Sequence, residues 1–122
     1  MGDCAPPGWH SVTARLVVGD PHRLVNFLRD AFGASGTYEA GKPSVVQIGD
    51  SIVMVSDTSA RSATSSLLYL YVDDADAVYN RALAAGAAAI EAPLDTPYGD
   101  RRAMITDPCG NDWQIATYRG AE

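Results

Sequence analysis

Setting RLVVGDPHRLVNFLRDAFGA, which begins at Arg15, over YLYVDDADAVYNRALAAGAA, which begins at Tyr69, needs no gap. At a constant offset of 54, Leu16 falls on Leu70, Val18 on Val72, Asp20 on Asp74, Leu24 on Val78 and Asn26 on Asn80. A repeat constrains the fold more than any composition does, because each copy is one supersecondary unit that buries its apolar face against a neighbour. Each copy reads as an alternating strand, an Asp as helix N-cap, an apolar stripe at helical spacing, and Gly. In the first, Asp20 caps, Pro21 takes the first helical position where its missing N–H costs nothing, and Leu24, Phe27, Leu28, Ala31 and Phe32 form the stripe that Gly33 ends. In the second, Asp74 caps, Ala75, Val78, Tyr79 and Ala82 are the stripe, and Gly86 stops it.

Three short β-like runs follow each helix: about 36–40, 44–48 and 51–56 in the first half, and about 88–91, 101–106 and 112–118 in the second. Gly49-Asp50 and Pro108-Cys109-Gly110-Asn111 are the predicted turns. The expected order is β-α-β-β-β written twice, an α+β chain with module 1 over about 10–56, a small-polar linker at 57–66 and module 2 over about 67–118. Alternation puts Leu16, Val18, Leu70 and Val72 on the helix side of the strands. Thr13, Arg15, Val17, Leu67, Tyr69 and Tyr71 then face the other way, a mixed and aromatic surface of the kind that lines a ligand cavity.

At 122 residues and 47% hydrophobic content the chain suits one compact domain, with oligomerisation as the way to add to its core. A net charge of −6 argues against nucleic acid, since no basic stripe exists to displace counterions from phosphates. No segment approaches the roughly 18 apolar residues of a membrane span, and MGDCAPPGW lacks the build of a signal peptide. Pro6 also breaks the myristoylation pattern that would act on Gly2. A cytoplasmic protein is expected, with Cys4 and Cys109 as unpaired thiols. Two scattered histidines support no Ser–His–Asp or Cys–His set, and no GxxxxGK phosphate loop occurs.

The doubled unit, with VVGDPHRLVNFLRDAFG in the first half and PYGDRRAMITDPCGNDWQIAT in the second, resembles the vicinal oxygen chelate superfamily, the glyoxalase and bleomycin-resistance group, and within it the PhnB-like members. The resemblance runs from about Trp9 to Tyr118. It implies tandem βαβββ modules forming a curved, incompletely closed eight-stranded sheet around a cavity, with the two helices outside and the cavity commonly at a homodimer interface. Metalloenzymes of the group hold a divalent ion there through His and Glu side chains. The four corresponding positions here are Thr13, Met54, Leu67 and Gln114. Met is a soft donor for a hard dication, Leu coordinates nothing, a neutral hydroxyl is poor, and only the Gln amide oxygen is plausible. The expectation is therefore no metal and no cofactor. His10, three residues before Thr13, is turned to the other face by alternation, and His22 sits in the first helical turn, in solvent.

Further candidates surround that face. Tyr38, Tyr98 and Tyr118 are expected to join Tyr69 and Tyr71 in an aromatic wall, while Trp113 alternates against Gln114 and packs under a helix. Arg15 must be paired if buried, either with a carboxylate such as Glu39 or Asp112 or with an anionic ligand group. The YGDR stretch from Tyr98 to Arg101 borders the cavity by position. The expected function is metal-independent sequestration of a small aromatic or peptide natural product, as an antibiotic-resistance binder does, through Thr13, Arg15, Tyr38, Met54, Leu67, Tyr69, Tyr71, Tyr98, Arg101 and Gln114. The alternative is a lyase, isomerase or dioxygenase of the same superfamily with a non-standard or relocated metal.

Overall fold

The computed structural model describes residues 4–120; Gly2 of the leader lies outside them. The elements run β1 (Ala14–Val17), α1 (Pro21–Phe32), β2 (Ser44–Ile48), β3 (Ser51–Ser56), β4 (Leu67–Tyr71), α2 (Ala75–Ala84), β5 (Ala88–Asp95), β6 (Asp100–Thr106) and β7 (Asp112–Tyr118). The helix signals act as the sequence predicts. The Asp20 carboxylate accepts from the Arg23 N–H and that of Asp74 from the Ala77 N–H, each satisfying a donor that the first turn leaves over. Gly33 closes α1 in the left-handed region at φ 68°, and its N–H returns to the Arg29 carbonyl.

The strands form two mixed sheets, ordered β1-β3-β2 and β4-β7-β6-β5. In each half the first strand lies parallel to the last, Arg15 opposite Met54 in one and Tyr69 opposite Gln114 in the other. These two pairs are repeat counterparts, since Arg15 and Tyr69 are related by the offset seen in the sequence.

The strand expected at 36–40 is reduced to an isolated bridge between Ser35 and Gln47, so the described residues form seven strands. The segment spends its polar groups on side chains instead of a ladder: Arg29 donates to the Gly36 carbonyl and the Glu39 N–H donates to Ser44 Oγ. Gly36 stands at φ 115°, outside any pleat, with the Val45 carbonyl where a Cβ would be.

One cluster of buried side chains draws on both halves. Leu24, Val25, Phe27 and Leu28 of α1 meet Val46, Val53 and Val55 of the first sheet and Ile105, Trp113 and Ile115 of the second. Burial of each large apolar side chain contributes roughly 1.5–3 kcal/mol. Trp113 lies under the helix layer as expected, its ring 4.9 Å from that of Phe32, and Arg81 of α2 donates to the Ala31 carbonyl of α1 at 3.2 Å. Thr117 ties α2 to β7, accepting from the Ala75 N–H at 2.8 Å and donating to the Val72 carbonyl at 2.9 Å.

Candidate ligand-binding site

With the aliphatic face of the second sheet covered by helices, its other face lies open. Register places Leu67, Tyr69 and Tyr71 of β4 beside Asp112, Gln114 and Ala116 of β7, and these beside Thr106, Met104 and Arg102 of β6. Leu67, Tyr69, Tyr71 and Tyr118 are all exposed, as is Tyr98 in the turn before β6. Exposed apolar and aromatic side chains grouped in this way make the face the candidate for an interaction or ligand site.

The polar centre of this face is Asp100, only 3% exposed. Its Oδ2 accepts from the Tyr69 hydroxyl at 2.6 Å and from the Tyr71 hydroxyl at 3.1 Å. Tyr98 and Tyr69 hydroxyls lie 3.3 Å apart, and Arg102 reaches Tyr98 Oη at 2.9 Å while its other nitrogens hold Glu91 at 2.9 and 3.3 Å. Irregular pairing between β5 and β6 around Glu91 accompanies this last contact. The turn is fixed by its own bonds: Thr96 Oγ1 accepts from the Asp100 N–H, Thr96 donates twice to the Asp100 carbonyl, and Gly99 adopts φ 97°. The phenol of Tyr69 is pushed up, well beyond the ordinary tyrosine value, first by burial and then by its bond to Asp100. That of Tyr71 is raised chiefly by its bond to the same carboxylate.

The other predicted residues separate into distinct places. Thr13 and Tyr69 share a cleft of about 260 Å³ between the two sheets, with Val12, Ile52, Leu68 and Trp113 as further walls. His10, expected to turn away, stands exposed at its lip. Leu67 opens β4, and Gln114 lies between Tyr69 and Met104. Arg15 and Met54 lie side by side on the first sheet. Arg15 is exposed and bonds neither Glu39 nor Asp112. Its Nε donates to Ser56 Oγ at 2.8 Å, Glu39 pairs with Lys42, and Asp112 accepts from Thr106. Exposure explains the difference, since a solvated guanidinium needs no carboxylate.

Tyr38 does not join the wall; its ring stacks on His22 at 4.8 Å, beside α1. Arg101 also points elsewhere, to the helix side, where it forks onto Asp76 of α2 with two 3.0 Å bonds. Arg102 and Glu91 are absent from the site residues of the sequence reading, and Asp100 enters that reading only as a member of the YGDR stretch that borders the cavity, not as a contact residue. Alternation back from Met104, beside Gln114, was the signal available: it places 102 and 100, and not 101, on the tyrosine face.

For a metal, the four family positions provide a hydroxyl, a thioether, an alkyl group and an amide, a set that does not fit a hard dication. Among the described residues no three His, Cys, Asp or Glu side chains come together as a metal-holding group. Nor, among them, is any helix long and apolar enough to cross a membrane. Cys4 and Cys109 are unpaired, and burial raises the Cys109 thiol above its usual value.

This fold is similar to that of TioX from Micromonospora sp. ML1, with a TM-score of 0.77 and 26% identity over 89% of this chain and 98% of that one. A glyoxalase/bleomycin resistance protein/dioxygenase family enzyme from Burkholderia phytofirmans shares the fold at a TM-score of 0.73 and 23% identity, over 87% of this chain and 96% of the other. An uncharacterised protein of Mycobacterium bovis is 28% identical across 86% of this chain and 81% of its own length. The profile of the Glyoxalase/Bleomycin resistance protein/Dioxygenase superfamily matches residues 10–115. The repeated halves, β-α-β-β and then β-α-β-β-β, their matched strand registers and this profile agree: the chain belongs to the glyoxalase/bleomycin resistance protein/dioxygenase superfamily.

Proposed function

We propose that this protein is a metal-independent binder that sequesters a small aromatic or peptide natural product, in the manner of an antibiotic-resistance protein. The observation that carries the reading is the exchange on the open sheet face. Where metalloenzymes of the superfamily keep His and Glu, this chain has Leu67 and Gln114 on the second sheet, Met54 on the first and Thr13 in the cleft between them, and the Tyr69 and Tyr71 hydroxyls beside Gln114 both donate to Asp100. Ring faces and neutral hydrogen-bonding groups hold a planar ligand; they do not polarise a substrate oxygen as a Lewis acid does. Leu67, Tyr69, Tyr71, Tyr98 and Gln114 supply the second sheet's part of the binding surface, Met54 and Arg15 the first sheet's and Thr13 the cleft between them, with no cofactor required.

In the same reading the protein is a cytoplasmic homodimer of single-domain chains from the PhnB-like branch. Two features support the dimer. The strands β1 and β4 each have a strand neighbour on one side only, and of β1 the Val17 carbonyl is already taken by the Thr64 N–H, so β4 presents the more open edge. The tyrosine face is also too apolar to be left uncovered without a purpose. Closing one protomer's first sheet over its partner's second makes a shared cavity of the two open faces.

The test begins with metal content. Purified, untagged protein exposed to iron, manganese, nickel and zinc and then desalted is expected to hold far less than one ion per protomer by plasma mass spectrometry. About one tightly held ion per protomer would overturn the reading and favour an enzyme with a relocated metal. A panel of aromatic and peptide antibiotics should then raise the melting temperature for at least one class, and a flat response across the panel sinks the binder.

A further inference from the structure

The hydrogen bonds around Asp100 run in one direction. Its carboxylate only accepts, so the Tyr69 and Tyr71 hydroxyls both donate to Oδ2. A phenol has a single proton, and that of Tyr69 is thereby committed. The 3.3 Å contact between the Tyr69 and Tyr98 hydroxyls must then be donated by Tyr98. Arg102 in turn donates to Tyr98 Oη, and Glu91 offsets its charge. Donation therefore passes from Arg102 to Tyr98 to Tyr69 to Asp100, and the hydroxyl protons of three tyrosines are used inside the wall.

What faces outward is the complement of that order. Tyr69 and Tyr71 are 38% and 59% exposed, whereas the carboxylate behind them is 3% exposed. A ligand meets ring faces and phenol oxygens whose free lone pairs point away from Asp100, and each oxygen is made more negative by the charge that holds its proton. Ring faces favour cations, and lone pairs favour donors.

We propose that Asp100 sets the polarity of this wall, holding the Tyr69 and Tyr71 protons so that the tyrosine face is a subsite for a planar ligand group bearing positive charge and hydrogen-bond donors, an aminated aromatic cation. Asp100 is a positioning residue here, acting through the tyrosines and not by touching the ligand. The inference rests on the ligand-binding reading and adds to it the chemical class of the ligand. Both phenols keep their protons to a higher pH than an ordinary tyrosine, which agrees with it, because the same carboxylate that orients the protons also retains them.

Two planar probes of one ring size separate charge from stacking: proflavine, a diamino cation at neutral pH, and acridine, neutral at the same pH. Fluorescence anisotropy with the full-length protein is expected to show proflavine bound about tenfold more tightly, the scale of a hydrogen bond to a charged partner. Asp100→Asn turns an amide donor toward one of the tyrosines, so the preference should fall to within about twofold while acridine still binds. A purely structural role for Asp100 would instead weaken both probes alike. Because Asp100 is buried, exposed Tyr98→Phe provides a second variant that keeps its ring and releases a lone pair of Tyr69, and it is expected to raise the preference for proflavine by about twofold. A preference lost in Tyr98→Phe overturns the proposal, and so does equal binding of the two probes to the unaltered protein. Equal binding leaves the binder reading standing. Failure of both probes to bind overturns the subsite, while the antibiotic panel decides the wider reading separately.

Discussion

Asp107→Ala removes the hub on which the end of the fold turns. The side chain of Asp107, 3% exposed, accepts from the Cys109 N–H at 2.8 Å, the Asn111 N–H at 3.1 Å, Asn111 Nδ2 at 3.1 Å and Trp113 Nε1 at 2.8 Å. Asn111 is fully buried and Trp113 nearly so, hence three of these donors lose their acceptor where water has little access. Each buried orphan costs about 1–3 kcal/mol. A water entering the space left by the carboxylate recovers part of that, leaving a net loss of about 4 kcal/mol. For a chain of this length about 1 kcal/mol lowers Tm by roughly 3–4 °C, so calorimetry should show a fall of about 12–16 °C. Urea unfolding should show a lower midpoint at unchanged slope. The loss reaches the binding face as well, because Asn111 Oδ1 accepts from the Ser66 N–H at 3.0 Å and so sets where β4 begins. Asp107→Asn, which keeps an acceptor oxygen for the turn but turns an NH2 on its neighbours, should fall between. A loss of under about 4 °C in Asp107→Ala would refute the assignment of a stabilising role to this network.

Other expectations concern charge and assembly. The fork from Arg101 holds the Asp76 carboxyl below the ordinary value of 3.8, so its contribution to stability is present at neutral pH and lost as pH falls below that value; Asp76→Asn should flatten the acid limb of a Tm-versus-pH curve, and an unchanged limb would count against the pair. Tyr69 and Tyr71 titrate above the ordinary phenol value of 10, so stability they contribute is present below that pH and lost as pH rises further; absorbance at alkaline pH should show late-titrating tyrosines that Asp100→Asn shifts down. Exposed Leu67→Asp should leave Tm within about 1–2 °C yet reduce the dimer expected in light scattering toward the 12.9 kDa monomer, and a dimer that persists would place its interface elsewhere.

Most of the fold was legible because the repeat reads the same physics twice. Both Asp caps, Gly33, the apolar stripes and the burial of Trp113 are local rules that tertiary context left intact. The run at 36–40 was misread because a glycine at positive φ and two side chain to backbone bonds decide its path, and neither leaves a periodicity to find. The site was legible by face and not by partner. Alternation located Tyr69, Tyr71 and Gln114, but Arg15 to Ser56 and Tyr38 to His22 join residues far apart in sequence. The YGDR stretch offers both Asp100 and Arg101 to the cavity, yet β6 turns successive side chains to opposite faces; applying that alternation to the stretch selects Asp100 and Arg102 for the tyrosine face and turns Arg101 to the helices.

The repeat also shows where the two halves have diverged. Arg15 beside Met54 and Tyr69 beside Gln114 occupy equivalent places, so the same backbone supports opposite electrostatics. The first half ends in an exposed guanidinium held only by Ser56 among the described residues, in a hollow of about 170 Å³. The second half ends in a buried carboxylate screened by phenols. A metal site would require both halves to converge on one cation with like donors. Unlike ends suit a ligand that is itself asymmetric, with a donor-rich cationic aromatic group against Tyr69 and Tyr71 and an acceptor-bearing group toward Arg15. In the binder proposed above, Gln114, between Tyr69 and Met104, would take a neutral role: its amide both donates and accepts, which suits the middle of such a ligand without favouring either end.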